Sequence, residues 1–324
     1  MSNGVNYISY SGYKLYIQCP FAYWNRYVNK TTLADAENGL GTLYGSTVGL
    51  VFEAFYRDRI WKREDYLEAL QGLVEPYLKK AIKDQERQGR IIDWSDEEAT
   101  KTYKNQGELV ADIRDSIPRG VQTIRQNKLM GPFMEAEMKL DCRFGGYTIG
   151  GRADFVVQRT QPHGDLVILD GKGSKHRAKY VDGHALKEGA AIEGVQLKWY
   201  AFLYRERKKR TPDALGYIFW KFGGEQAMEW VPFKAKDLDD LKDEVLATLT
   251  RIDTSVSRLY SLSGKPQACA DLREELFPAQ PGDGCRLCSY VSVCEDGQKK
   301  TKSFKRARLE LPEGVNELTL GLDD

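Results

Sequence analysis

Hydrophobic positions change their period along this chain, and the change divides it. Up to Asn127 they recur at three- and four-residue intervals: Tyr13, Leu15, Tyr16 and Cys19, then Phe21, Tyr23, Trp24 and Tyr27, and later Val48, Val51, Phe52 and Phe55. Such spacing predicts helices, since positions three and four apart share a helical face. Ser11 reads as the N-cap of the first helix, and Pro20 kinks or divides it. A Gly-rich link from Gly39 to Gly45 leads into a helix over 46–61. Helices rich in charge and good helix formers follow over 64–88 and 96–127.

From Phe133 the period shortens to two. FMEAEMKLDC (133–142) alternates as a half-buried strand does, and Phe144-Gly145-Gly146 turns the chain into a second strand over 147–157. The turn-rich stretch 161–165 joins it to the apolar run Val167-Ile168-Leu169, a buried strand, so the two can pair as a hairpin. A helix over 192–207, strands over 214–221 and 227–231 and a long helix over 235–260 complete the pattern. The expectation is an α/β core with a mixed sheet over 133–260, a helical insertion or cap over 31–132, a region formed by 1–30 with 261–300, and a tail over 301–324.

With 324 residues the chain can bury a full core. It has no run of about 18 apolar residues and no charged-then-apolar leader, which predicts neither a membrane span nor a secretory signal and a reducing, cytoplasmic setting. The net charge is only +1, yet basic residues cluster at 172–179 (KGSKHRAK), 205–210 (RERKKR) and 299–308 (KKTKSFKRAR). A patterned surface of this kind can bind a phosphate backbone, although each run alone reads equally well as a solvated face.

The candidate chemistry lies at the strand ends. In LVILDGKGSK (166–175), Asp170 and Lys172 are two apart on a strand and share a face, and Asp154 in GGRADFVV (150–157) lies on the strand before. Pairing would bring both carboxylates within reach of one hard cation, Mg2+ or Mn2+, suited to activating water at a phosphodiester, with Lys172 holding the nucleophile or offsetting charge. An Asp that closes a strand is also an ordinary turn former, and Asp-Gly a common turn dipeptide. Gln196 and Tyr200, four apart in VQLKWYAFLY, share a helical face and could touch a substrate. Cys285, Cys288 and Cys294 form a C-x2-C-x5-C cluster one thiolate short of a tetrahedral set, and Cys19 is the natural fourth. Zinc and an iron-sulfur cluster both suit four cysteines. Cys142 and Cys269 lack partners at ligand spacing.

Taken in order, Cys19-Pro20 with its following aromatics, Gly150-x-x-x-Asp154, Asp170-x-Lys172, Gln196-x-x-x-Tyr200 and the three-cysteine cluster resemble the RecB-like branch of the PD-(D/E)xK nuclease superfamily. Within it the chain is similar to the iron-sulfur exonucleases, including CRISPR-associated ones and AddB-type helicase-nuclease domains. The likeness runs from about Cys19 to Cys294. It implies a restriction-endonuclease-like core, a [4Fe-4S] cluster on Cys19, Cys285, Cys288 and Cys294 joining the chain ends, and a divalent-metal centre at Asp154, Asp170 and Lys172 with Gln196 and Tyr200 at the substrate. The implied activity is exonucleolytic hydrolysis of DNA, on single-stranded ends or displaced strands, in repair, recombination, phage or CRISPR-related processing. One motif departs. Where the family has Gly followed four residues later by a metal-binding His, this chain has Gly45 followed by Gly49, and His163, His176 and His184 all fall elsewhere. Glu53, one turn beyond Gly49, is the candidate replacement ligand, or else a solvated helix residue; Glu137, on the strand before Asp154, is a further acid. The departure leaves a second expectation, a catalytically impaired nuclease-fold protein that binds nucleic acid or a protein partner. The mildly acidic tail is a candidate partner-binding segment.

Overall fold

A computed structural model describes residues 6–31, 39–87, 90, 92–95, 102–130, 133–159, 164–173, 194–262, 266–282, 284–285 and 288–309. In chain order its elements are β1 (Tyr7–Ser9), α1 (Tyr10–Gln18), α2 (Pro20–Tyr23), a π turn over Trp24–Val28, α3 (Leu40–Arg57), α4 (Tyr66–Gly72), α5 (Val74–Arg87) and α6 (Gln106–Gln126). Then come β2 (Phe133–Lys139), β3 (Cys142–Phe144), β4 (Tyr147–Gly150), β5 (Arg152–Gln158), β6 (Leu166–Lys172), α7 (Val195–Lys208), β7 (Ala214–Phe219), β8 (Met228–Val231), α8 (Ala235–Ser261), α9 (Pro266–Leu276) and α10 (Glu295–Leu309). The chain forms two compact units, one of residues 5–10 with 35–252, the other of 1–4, 11–34 and 253–324.

The larger unit holds a five-stranded sheet in the order β2-β5-β6-β7-β8. β5 runs antiparallel to both β2 and β6, β6 pairs parallel with β7, and β7 antiparallel with β8, so the sheet is mixed as expected. Strand alternation gives its two faces different tasks. Phe155 and Val157 of β5 and Val167 and Leu169 of β6 are buried in one core with Val48, Phe52 and Phe55 of α3 and Ile113, Ile117 and Val121 of α6. Trp220, just past β7, stacks on Phe52 with ring centroids 4.1 Å apart and planes 6° off parallel. Burying each such side chain contributes about 1.5–3 kcal/mol. The alternate residues of β5 and β6, Asp154, Asp170 and Lys172 among them, belong to the opposite face.

Several boundaries differ from the sequence expectation. The link from Gly39 to Gly45 is helical from Leu40 onward, because Leu40, Leu43 and Tyr44 are core residues whose burial outweighs the weak helix propensity of glycine. The helix over 64–88 divides at Leu73, and that over 96–127 begins at Gln106, where the Asn105 side chain accepts from the Glu108 amide at 3.0 Å. The single strand over 147–157 is two: β4 belongs to a three-stranded sheet in the order β1-β4-β3, and the chain crosses to β5 at Gly151. A β-carbon at Gly151 would stand 3.0 Å from the Tyr200 ring, a tight approach that glycine avoids. β1, α9 and α10 carry no signal strong enough to be read beforehand.

In the smaller unit, Phe277 after α9 packs against Trp24 and Tyr16 at centroid separations of 5.0 and 6.4 Å, and Tyr16 meets Tyr23 edge-on at 5.4 Å. The Phe21 amide donates to the Pro278 carbonyl at 3.2 Å, tying the two ends of the chain together. Among the described residues, no helix is long and apolar enough to cross a membrane.

Candidate active site

The register of the sheet builds the site. Phe155 with Leu169 is the last pair of the β5–β6 ladder, and just beyond it Asp154 accepts from the Gly171 amide and feels the charge of Asp170. On the other side of β5, Ala136 pairs with Phe155 and Met138 with Ala153, and the ladder skips Glu137 between them. Asp154 and Asp170 therefore come together from adjacent strands, with Glu137 near enough to act on Asp154. Glu137 departs from strand geometry with φ of 55°, in the left-handed region that costs a non-glycine residue energy, and its Oε2 accepts from Arg152 Nη1 at 3.0 Å.

Asp170 is 1% exposed, and Lys172 Nζ lies in contact with its Oδ2. Lys172 Nζ also donates to Gln196 Oε1 at 2.9 Å, and Gln196 Nε2 donates to the Tyr200 hydroxyl oxygen at 3.1 Å. Because the ammonium only donates, it fixes the amide orientation, and the amide in turn takes up the Tyr200 oxygen. The Tyr200 proton is left to an acceptor outside this chain of bonds. Asp154 Oδ2 accepts from the Gly171 amide at 2.9 Å. Gly171 itself must be glycine, since on the core side a β-carbon would meet the Trp220 indole nitrogen at 2.6 Å.

Burial and then the charge of Asp170 hold the Asp154 carboxyl well above its usual range; the Gly171 amide and Lys172 offset this in part, and Glu137 adds to it. Burial likewise raises Asp170, against the pull of Lys172. Two adjacent carboxylates that are costly to ionise fit a divalent cation, which would relieve both. Burial, then Asp170, raise the Tyr200 phenol, and the same two causes push the phenol of Tyr10 up to about 12. Tyr10 has no counterpart in the motifs, and nothing in its sequence neighbourhood marks it as part of a site.

Asp154, Asp170, Lys172, Gln196 and Tyr200 thus come together. Glu53 is engaged elsewhere: its Oε1 accepts from Arg57 Nη1 at 2.6 Å on the same helix, and Arg57 continues to Asp58 and the Tyr77 hydroxyl. Open space surrounds the position a Gly49 β-carbon would take. His163, His176, His184, the basic residues 174–179 and the tail beyond 309 lie outside the described residues. In the 205–210 run, Arg205 is bound to Asp239 at 2.6 Å.

The four predicted cysteines line one pocket of the smaller unit together with Phe21, Gln280, Pro281 and Val291. Cys285 Sγ accepts from the Gly282 amide at 3.4 Å and Cys294 Sγ from the Gly297 amide at 3.3 Å, contacts that favour thiolates. Burial first, and the neighbouring cysteines after it, raise the Cys288 and Cys294 thiols. Shared burial of four thiols fits a group that binds them deprotonated, although among the described residues no group of three or more His, Cys, Asp or Glu side chains stands at metal-binding spacing. Cys142 Sγ only donates to the Leu203 carbonyl at 3.4 Å.

A mixed sheet whose central antiparallel pair sets an Asp against an Asp-x-Lys is the architecture of the PD-(D/E)xK class. The sequence model of the PD-(D/E)XK nuclease superfamily matches residues 7–295, and the chain belongs to that superfamily. Among solved structures, one from Eubacterium rectale, described as a candidate exonuclease, is 14% identical with a TM-score of 0.43, covering 78% of this chain and 82% of its own. Another, of the protein SSO0001, is 12% identical with a TM-score of 0.27, covering 82% and 90%. No curated protein matches in sequence.

Proposed function

We propose that this protein is a metal-dependent deoxyribonuclease, an exonuclease of the RecB-like iron-sulfur branch that hydrolyses phosphodiester bonds at single-stranded DNA ends. The observation that carries the reading is that Asp154, bound to the Gly171 amide, lies beside Asp170 and a lysine anchored through Gln196 to Tyr200. Asp154 and Asp170 would hold Mg2+ or Mn2+, with Glu137, or Glu53 once released from Arg57, as a further acid. A divalent cation there supplies charge for the phosphate oxygens and lowers the pKa of an attacking water. Lys172 orients that water and offsets charge on the phosphorane. Gln196 fixes Lys172, and the Tyr200 hydroxyl donates to the substrate. The four-cysteine pocket is read as the seat of a [4Fe-4S] cluster with a structural role, supported by the four thiols that share it and the two amides directed at them.

The test is cleavage of end-labelled single-stranded oligonucleotides with Mn2+ or Mg2+. Cutting by wild type that falls at least about 100-fold in Lys172→Ala supports the centre; equal cutting by the two places the chemistry elsewhere. Gly49, at the family's His position, favours a second reading, a nuclease-fold protein that binds nucleic acid or a protein partner without cutting. It predicts salt-sensitive DNA binding and no cleavage with either metal.

A further inference from the structure

Tyr10 brings a second phenol to the site from outside its motifs. Ser9 pairs with Gly150 in the parallel β1–β4 ladder, so Tyr10 arrives beside Gly151, where the chain crosses into the strand of Asp154. Its ring packs edge-on against Trp199, centroids 6.0 Å apart and planes at 65°. Trp199 is itself held by donation from Nε1 to the Gly150 carbonyl at 3.1 Å. Tyr200 follows on α7, with its ring over Gly151. The two phenols therefore converge on one end of β5, and electrostatics agree: the charge of Asp170 acts on both, and Tyr10 acts on Tyr200.

The packing of Tyr10 on Trp199 asks only for a ring, which phenylalanine would provide equally well. A hydroxyl in a half-buried place beside a carboxylate is costly unless it meets an acceptor. A protonated phenol in such a place is a donor matched to an anionic oxygen.

We propose that the Tyr10 hydroxyl is a substrate-binding group of this site, donating to a phosphate oxygen of a bound nucleic-acid strand as a second donor beside Tyr200. This rests on the nuclease reading of the site. It assigns recognition of the strand in part to the segment ahead of the first cysteine rather than to the nuclease motifs alone.

The experiment compares wild type with Tyr10→Phe, which keeps the ring. Binding of a fluorescent single-stranded oligonucleotide is measured in Ca2+, and cleavage of the same strand in Mn2+. Expected are a Kd and a KM about tenfold higher in Tyr10→Phe, with an equal or higher Tm for the free protein and unchanged Mn2+ dependence. A scan with single methylphosphonate linkages, which remove one anionic oxygen at a time, should find a position at which the two proteins become equal. Equal Kd and KM for the two proteins on the natural strand overturns the proposal, as does a difference that persists at every methylphosphonate position. If wild type binds but never cuts, the nuclease reading fails, while a weaker Kd for Tyr10→Phe that one methylphosphonate abolishes still upholds the contact. Absence of both binding and cutting in wild type overturns both.

Discussion

Asp154 accepts from the Gly171 amide at 2.9 Å just beyond the Phe155–Leu169 pair that ends the β5–β6 ladder, which brings it beside Asp170. The ladder that closes the hydrophobic core on one face also sets the spacing of the acids on the other. Core packing and site geometry are therefore read out of one register, and a slip of one residue would ruin both.

The raised Asp154 carboxyl gives a signed pH effect. A group whose pKa is higher folded than unfolded favours the fold fully at pH below its unfolded value, and that contribution is lost as pH rises through the folded value. In metal-free buffer, Asp154→Asn should therefore melt above wild type at pH 8, and the gap should close as pH falls towards 4. Adding Mg2+ should raise the Tm of wild type and leave the variant unmoved. Thermal melts across pH, with and without Mg2+, check both.

Two glycines should respond in opposite ways to alanine. Gly171→Ala drives a methyl into the Trp220 indole and should cost about 1–3 kcal/mol. Gly49→Ala, in an open position inside α3, should gain roughly 0.5–1 kcal/mol. Urea denaturation of the two variants decides.

Lys221, with its side chain only 8% exposed, donates to Asp112 Oδ2 at 3.1 Å and sits 4.1 Å above the Tyr44 ring. Asp112→Ala leaves that ammonium with the Tyr103 hydroxyl but no carboxylate and should cost about 3 kcal/mol, whereas Asp112→Ala with Lys221→Met should recover most of the loss. A cycle in urea that includes Lys221→Met alone measures the coupling; a double-variant loss equal to the sum of the two single losses would show that the pair contributes nothing.

Purified anaerobically, the wild type should be brown, with iron and sulfide in equal amounts and absorbance in the visible iron-sulfur band. Cys288→Ala should lose the colour and melt at lower temperature. A colourless protein carrying zinc would assign the pocket to that ion instead.

Much of the site was legible because its residues lie close together along the chain or at fixed periods. Asp170 and Lys172 are two apart on a strand, and Gln196 and Tyr200 four apart on a helix, so short-range geometry alone puts each pair on one face. The antiparallel partnership of β5 and β6 followed from a turn-rich join of few residues. Tyr10 was not legible, since it reaches the site through the parallel pairing of β1 with β4, a contact across some 140 positions that no local period records. The break at Gly151 was hidden for a similar reason: residues 147–157 read as one strand by propensity, whereas the pairing of β4 with β1, some 140 positions earlier, draws its first part into another sheet. The helical start at Leu40 was masked by glycines whose weak propensity the core overrides.

The Trp220 indole behind Gly171 has a consequence for engineering. The middle position of Asp170-Gly171-Lys172 looks like a free variable between two reactive side chains, yet the opposite layer of the molecule dictates it. Transplanting the three residues onto another scaffold would fail unless the tryptophan, and the Phe52 ring stacked on it, travelled with them. The smallest portable unit of this strand is three residues together with a wall.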